Sequence, residues 1–399
     1  MNHVMEPQRA TPVTGDYDVA VVGGGVAGIA AALAAARRGA SVCVVEKENG
    51  LGGLATLALI TIYLPLCDGR GSQVIGGIGE ELLRLSIRYG GGRRLPDKWL
   101  NGGSREERAE QRYQLQYNPW LFAMAAEEQL SGSGVKLLYD TRFCGVSMEN
   151  GAIGSIIVEN KAGRQAITAR AVVDASGDAD VCHAAGEATA VYTKNRLASW
   201  YYSSQTDRGF ELHMLAVPLY GELPPPERQY DGLAADDISE INIEGRRRIL
   251  ADILRQRAET ACEEIEPAAI PLLPSVRMTR RLAGLYELDE AEEGIWFDDA
   301  VGMTGDWRKR GPVFSIPYRC LYGARVKNLL AAGRCISVTE PMWDITRVIP
   351  TCAVTGEAAG VAAAIAARQG LACGDVDIRT LQSDLVRGGV ILDRNLLSR

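Results

Sequence analysis

The sequence predicts an α/β protein built on a Rossmann-type nucleotide-binding domain, with an α+β segment inserted into it. Three observations carry this reading. The stretch DYDVAVVGGGVAGIAAALAAARRGASVCVVEK sets a glycine-rich turn between an apolar strand and an alanine-rich helix, then closes on a second strand. Residues 190–325 differ in character, with an aromatic cluster, a proline run and a long charged helix. After them the α/β pattern returns and ends in a second alanine-packed helix start, TRVIPTCAVTGEAAGVAAAIAAR. At 399 residues the chain is long for one compact core, so two interleaved domains are expected. The expected division is a tail at 1–16, a nucleotide-binding domain at 17–189, an inserted substrate domain at 190–325, and the return of the first domain with a C-terminal helix at 326–399.

The elements follow in order. A strand is expected over Tyr17–Val22, a helix over Ala27–Arg38 and a strand over Ser41–Val45. Residues 76–89 have helical spacing, and 90–112, rich in glycine and charge, read as an exposed loop. Asn118 is a good N-cap with Pro119 at the first helical position. The short strands GVKLLYD, GSIIVEN, RQAITAR and AVVDAS, separated by turn residues, suggest an antiparallel meander. FELHMLAV alternates as a strand does, and RMTRRLAGLY has its arginines at helical spacing.

Composition removes several function classes. A net charge of −7 argues against nucleic acid, which is usually met by a basic face. No apolar run is uninterrupted over a membrane-spanning length, because glycine, arginine or glutamate breaks the alanine-rich stretches. The N-terminus MNHVMEPQRATPVTGD is polar and reads as a loose tail on a cytoplasmic protein. Nine scattered cysteines without a CxxC read as reduced thiols. The three histidines, His3, His183 and His213, leave little for a metal site or a Ser-His-Asp triad, so no metal is expected.

Gly23, Gly25 and Gly28 form GxGxxG directly after a strand and at the start of a helix. Gly23 permits the tight turn, Gly25 admits a pyrophosphate to the backbone, and Gly28 allows close helix packing. The helix start, at Val26 and Ala27, then faces the phosphate charge. Glu46 ends the second strand, where a carboxylate meets ribose hydroxyls, and Lys47 follows it. This pattern means a dinucleotide and does not by itself choose NAD or FAD. Gly52, Gly53, Leu54, Ala55 and Thr56 then form a loop whose glycine doublet suits an extended cofactor, and Ala175, Ser176 and Gly177 are small enough for another close approach. No second complete GxGxxG follows a strand, which weighs against a separate pyridine-nucleotide domain.

Taken with GGIGEELLRL, YNPWLF, SVRMTRRLAGLY, IPYRCLY, NLLAAGRCIS and RVIPTCAVTGEAAGVAAA, these blocks resemble the FAD-dependent oxidoreductase family that includes xanthan-lyase-like proteins, a branch of the glutathione-reductase-type flavoproteins. The resemblance runs from about residue 17 to 368 and weakens over 187–265 and in the last thirty residues. It implies FAD as cofactor, with Gly23, Gly25, Gly28 and Glu46 on its ADP half. It implies Gly53 and Thr56 along the phosphates or flavin and the Phe143 backbone beside adenine. Gly333 and Arg334 stand where many relatives carry a Gly-Asp pair against the ribityl and pyrophosphate, so the arginine departs from the wider pattern. A helix starting at Pro350 and Thr351, with Gly356 among its small residues, would aim its N–H groups at the flavin's pyrimidine edge.

Substrate-side candidates are Arg347, Arg277, Arg281, His213, Tyr318 and Glu340. Two roles are open to Arg347: binding or protonating substrate, as arginine does in fumarate-reductase relatives, or a structural salt bridge. Arg277 and Arg281, if helical, form an anion clamp or a solvated face. His213 is a base or a hydrogen-bonded structural residue, and His183 is structural. Cys335 and Cys352 pack in the interior or form a redox pair. The leading expectation is hydride transfer between flavin N5 and a small polar substrate, carboxylated or sugar-like. A flavin subunit passing electrons to an unknown donor or acceptor is the second reading, and an FAD-dependent tRNA-modifying enzyme the third. Self-association is also open; a membrane partner is not expected.

Overall fold

The computed structural model describes residues 4–5, 8–196, 201–206, 209–215, 228–260 and 266–398. His3, most of the proline run and the end of the charged stretch at 261–265 lie outside the described residues. The fold is mixed α/β around a Rossmann-like parallel sheet. Its first strand, β1 (Val13–Val22), begins four residues before the expected start. Val13 already pairs with Ala166, and the Pro12 carbonyl accepts from the Ala166 N–H, so the tail ends earlier than the sequence suggested.

Helix α1 (Val26–Ala36) and β2 (Val42–Val45) complete the first unit. The expected helix at 76–89 is α2 (Gly77–Leu85), and Asn118 caps α3 (Pro119–Gly132), its Oδ1 accepting from Trp120 and Leu121. Between them, residues 90–112 are not simply an exposed loop. They hold two short helical turns and bury Trp99, which stacks on Tyr113 at 5.0 Å.

β3 (Lys136–Leu138), expected in the meander, instead pairs parallel with the free edge of β2. The antiparallel meander is β4 (Arg142–Glu149), a strand the sequence reading did not expect, β5 (Ala152–Asn160) and β6 (Gly163–Asp174), which joins RQAITAR and AVVDAS into one strand. The sheet runs β3-β2-β1-β6-β5-β4. Along its twelve residues β6 changes partners: Gly163–Thr168 pairs antiparallel with β5, whereas Val172–Asp174 pairs parallel with a late strand, Leu329–Ala331. The C-terminal return therefore rejoins the sheet that the N-terminus began.

Between those parts the chain runs through β7 (Thr189–Val191), β8 (Tyr201–Thr206), β9 (Gly209–Met214), α4 (Ala235–Thr260) and β10 (Pro267–Ala269). Isoleucines 241, 249 and 253 of α4 pack with Tyr202, Tyr230 and Val276 into a small core of their own. The segment then reaches β11 (Arg280–Leu282), which pairs antiparallel with β7. Here the expected helix with Arg277 and Arg281 on one face is corrected to extended chain. Next, β12 (Ala300–Gly305) and β13 (Val313–Pro317) form a buried hairpin, and Val301, Met303, Phe314 and Ile316 join the main core.

After β14 (Leu329–Ala331) come α5 (Glu340–Thr346), α6 (Ile349–Gln369) and α7 (Ile378–Arg387). By length and hydropathy α6 meets the requirement for a membrane-spanning helix, yet 94% of its apolar window is buried inside the fold. Its alanines and glycines lie on α1. A Cβ on Gly356 would come within 2.2 Å of the Ala27 carbonyl oxygen, and one on Gly360 within 2.2 Å of that of Ala31. Both numbers rise by four together, so α1 and α6 run parallel and start at the same end of the sheet.

Candidate cofactor and substrate site

At that end lies a cavity of about 580 Å³. One wall is made by the first glycine turn. Gly23 has φ +104°, donates to the Val45 carbonyl, and has no room for a side chain because a Cβ would sit 2.4 Å from the Ala175 carbonyl oxygen. A Cβ on Gly25, by contrast, would meet no protein atom within 4 Å, since it faces the cavity. Gly25 is the N-cap of α1, with no side-chain cap and no acidic residue in the first turn. The first N–H groups of α1 are thus left for a ligand, and the helix dipole favours an anion.

The second glycine loop lies alongside. Gly25 and Gly52 form a parallel bridge, the Gly52 N–H donates to the Gly24 carbonyl, and a Cβ on Gly53 would be 3.3 Å from the Gly25 Cα. Glu46 closes this part. Its carboxylate accepts from Gly24 N at 2.6 Å and Glu48 N at 2.8 Å; burial raises its pKa, and these two bonds oppose the rise.

Of the residues expected at the cofactor, Gly23, Gly25, Val26, Ala27, Glu46, Lys47, Gly52, Gly53, Leu54, Ala55, Phe143, Ala175, Ser176, Gly177 and Arg334 line this single cavity. The others stand behind it. Gly28 packs on the turn, where a Cβ would be 1.8 Å from the Gly23 carbonyl oxygen. Thr56 is buried and donates to the Leu51 carbonyl, and Gly333 is wedged against the Ala27 methyl while its N–H donates to Thr355. Thr351 hydrogen-bonds Thr304 at 2.7 Å, and Gly356 packs on Ala27. Pro350 does not line the cavity either; Ile349 and Cys352 bring the α6 start to it. That start also has no side-chain cap and no acid in its first turn.

Sequence reasoning missed the far wall of Gly232, Leu233, Ile238, Leu273, Pro274 and Val276, which comes from a region distant in the chain. The Leu272 N–H donates to the Leu57 carbonyl and ties this wall to the second glycine loop. Thr141, Arg142, Asp178, Asp180 and Thr279 were missed as well, although Asp178 and Asp180 lie immediately beyond Gly177 in the GDADV run. Burial, with the like charges of Asp174 and Asp178, pushes the Asp180 carboxyl up to about 6 despite its ion pair with Arg280 at 2.7 Å.

The arginines separate into different roles. Arg334 borders the cavity but is held by the Gly177 carbonyl at 2.8 Å, the Val276 carbonyl, and Asp178 at 2.7 Å. Arg347 lines the cavity just before the α6 start and is paired with Asp344, its Nε at 3.1 Å from Oδ1. Burial and then the charge of Arg347 lower the pKa of Arg277, while Asp344 opposes them, so the three charges form one neighbourhood. Arg281 is elsewhere: it is buried, ion-paired with Glu287 and set over the Trp343 ring.

Two expected catalytic residues are corrected. His213 does not line the cavity; it stacks on Tyr202 with centroids 4.4 Å apart and shares a 2.7 Å hydrogen bond with Ser204. Tyr318 is buried away from it, donates to the Cys373 carbonyl at 2.7 Å, and has its pKa raised well above 10 by desolvation. Glu340 is exposed at the start of α5. Cys335 and Cys352 are free, and burial pushes the Cys352 thiol up to about 12, opposed by Arg334 and Arg347.

A Rossmann-like sheet, two uncapped parallel helix starts and a carboxylate at the end of β2 define a dinucleotide-binding site. The chain belongs to the FAD dependent oxidoreductase family, whose model it matches over residues 18–199 and 192–385. It is an enzyme of that family, and FAD is its cofactor. The cavity fits such a group: its volume lies within the about 300–1,000 Å³ usual for ligand sites, and the side of Gly25 that a side chain would occupy is open to it. No curated protein matches the chain. Similar solved structures include CabE, an aromatic hydroxylase from angucycline biosynthesis, at 15% identity over 96% of this chain and 68% of that one, TM-score 0.47. Others are p-nitrophenol 4-monooxygenase PnpA from Pseudomonas putida (14%, 94% and 89%, 0.46) and the geranylgeranyl bacteriochlorophyll reductase-like Ta0516 from Thermoplasma acidophilum (13%, 96% and 90%, 0.45).

Proposed function

We propose that the protein oxidises or reduces a small polar molecule, carboxylated or sugar-like, by hydride transfer at flavin N5. Bound FAD supplies that chemistry; the protein supplies placement and charge. In this reading Glu46 receives the adenosine ribose, the α1 start and the two glycine loops receive the pyrophosphate, and the Phe143 backbone lies beside adenine. The flavin then falls toward Arg334, Ile349 and Cys352, where the α6 dipole favours negative charge.

The observation that carries the substrate side is Arg347 lining the cavity beside the uncapped α6 start, with Arg277 close enough to feel its charge. The Arg347 guanidinium, fixed at the cavity wall, offers a planar charged donor to an anionic or strongly polar substituent. Of Arg347, His213 and Tyr318, only Arg347 is positioned to orient substrate and hold a proton at its guanidinium.

We also propose that the chain from Val13, where β1 begins, to residue 189, together with 326–399, forms the FAD-binding domain, of glutathione-reductase type and the xanthan-lyase-like branch, with 190–325 inserted. The pairing of β7 with β11 and the separate core under α4 support an insertion, although the β12–β13 hairpin of that segment packs into the main core.

An anaerobic screen of small acids, alcohols and sugars tests the reading. A substrate of this class bleaches the flavin absorbance, and Arg347→Met suppresses the bleaching. If no member of any class bleaches it while a protein electron donor or acceptor exchanges electrons with it, the electron-transfer alternative replaces this one.

A further inference from the structure

Arg347 reaches the cavity, and Asp344 does not. Asp344 nevertheless fixes where the Arg347 guanidinium sits. The two are three residues apart across the end of α5, and Asp344 Oδ1 accepts from Arg347 Nε at 3.1 Å and also from Nη2. The aspartate is itself held from behind. Its backbone carbonyl accepts from Trp307 Nε1 at 2.9 Å, and its Oδ2 lies 3.7 Å from Arg308 Nη1. Arg308 is anchored in turn by Asp306, with a 2.9 Å ion pair and a fully buried carboxylate, and by Glu290 at 3.3 Å. Charges therefore alternate from the cavity outward: Arg347, Asp344, Arg308, then Asp306 and Glu290.

Such a ladder does two things to the cavity. It prevents Arg347 from swinging freely, and it places one negative charge directly behind the positive one. A dinucleotide with its ribose at Glu46 and its pyrophosphate at the α1 start has its other end toward Arg334, Arg347 and Ile349, since these residues line the rest of the same cavity. Reduction adds negative charge to a flavin, so charges at that end bias its potential.

We infer that Asp344 is a positioning residue for the flavin: it holds the Arg347 guanidinium at the cavity wall and, through its own charge, keeps the flavin's reduction potential lower than Arg347 and the α6 start alone would set it. The inference rests on the FAD placement proposed above and is independent of which substrate the enzyme takes.

The test is the midpoint potential of the bound flavin, measured with reference dyes on the intact holoprotein without substrate. Asp344→Asn keeps the size and an acceptor for Arg347 but removes the charge. It is expected to favour the reduced flavin by about tenfold, about 30 mV upward for a two-electron couple. Asp344→Glu restores the charge and is expected to return the potential toward the wild type, which recovery of folding alone would not do. Arg347→Gln is expected to move the potential downward. An unchanged potential in Asp344→Asn, with FAD retained, overturns the inference. If instead Asp344→Asn does not fold, Arg308→Gln decides: removal of that cation lowers the potential if the ladder acts on the flavin and leaves it unmoved if it does not. Failure of the FAD placement itself is distinguishable, because Gly25 substitutions would then leave FAD binding intact.

Discussion

Gly356 faces the carbonyl oxygen of Ala27 with no space for a methyl group between them. The same relation recurs one turn on between Gly360 and Ala31. Two helices whose starts are separated by more than three hundred residues therefore touch backbone to backbone, run in one direction, and open on one cavity. Small residues in α6 make this possible, because any larger side chain would separate the axes and misdirect one of the two starts.

Gly356→Ala is accordingly expected to cost about 1–3 kcal/mol by overpacking and to lower FAD content, because Ala27 lies in the first turn of α1. Gly360→Ala should cost a similar amount of stability with a smaller effect on FAD, since it acts a turn farther from the cavity. Thermal melts and the flavin-to-protein absorbance ratio of desalted protein read both. A Gly356→Ala protein as stable and as yellow as the wild type would contradict the packing argument.

Gly25 gives the opposite dissociation. A methyl there meets only the cavity, and its backbone lies on the ordinary side of the φ map. Gly25→Ala should leave the FAD-free protein within about 0.5 kcal/mol of the wild type yet weaken FAD by at least about tenfold, 1.4 kcal/mol. Differential scanning calorimetry of the FAD-free protein, with a fluorescence titration of FAD, separates the two.

Much of this geometry was legible because it is local. The turn from β1 to α1, the Asn118 cap and the turns at Asn150-Gly151 and Ala162-Gly163 each announce themselves within a few residues, through glycine or a capping side chain. Lys136–Leu138, by contrast, reads as meander because its parallel partner lies far back in the chain. Where the sequence misled, the deciding partner was distant in the chain. Arginine spacing in RMTRRLAGLY fits a helix, but pairing with Thr189–Val191 makes Arg280–Leu282 a short strand, and neighbouring Arg280 and Arg281 serve Asp180 and Glu287 respectively. The strand carrying His213 was readable; its stacking on Tyr202 across the hairpin was not.

Tyr318 tests that correction directly. Its hydroxyl serves the Cys373 carbonyl, so Tyr318→Phe should cost about 1 kcal/mol of stability and leave anaerobic flavin reduction unchanged. Stopped-flow absorbance on the Phe variant, with the dithionite-reduced and oxidised spectra as references, checks this; a large loss of reduction rate would return Tyr318 to the chemistry.

Glu357, next after Gly356, points instead beneath the start of α2, where its Oε2 accepts from the Ile78 N–H at 2.8 Å. Burial pushes its carboxyl up to about 7, outweighing that hydrogen bond and the charges of Arg38 and Arg37. A carboxyl raised in the folded state above its ordinary 4.5 favours folding while it is protonated. Its contribution is whole below about pH 4.5 and is lost as the pH climbs through 7. Glu357→Gln keeps the acceptor for Ile78 and cannot ionise. The stability of the wild type should therefore fall relative to Glu357→Gln across that window, by up to about 3 kcal/mol. Asp180, whose pKa also rises, contributes equally to both proteins, so the difference between their denaturant midpoints at each pH isolates Glu357. A difference that stays flat from pH 4.5 to 7.5 would mean that Glu357 is ionised throughout, and that Arg38 and Arg37 offset its burial.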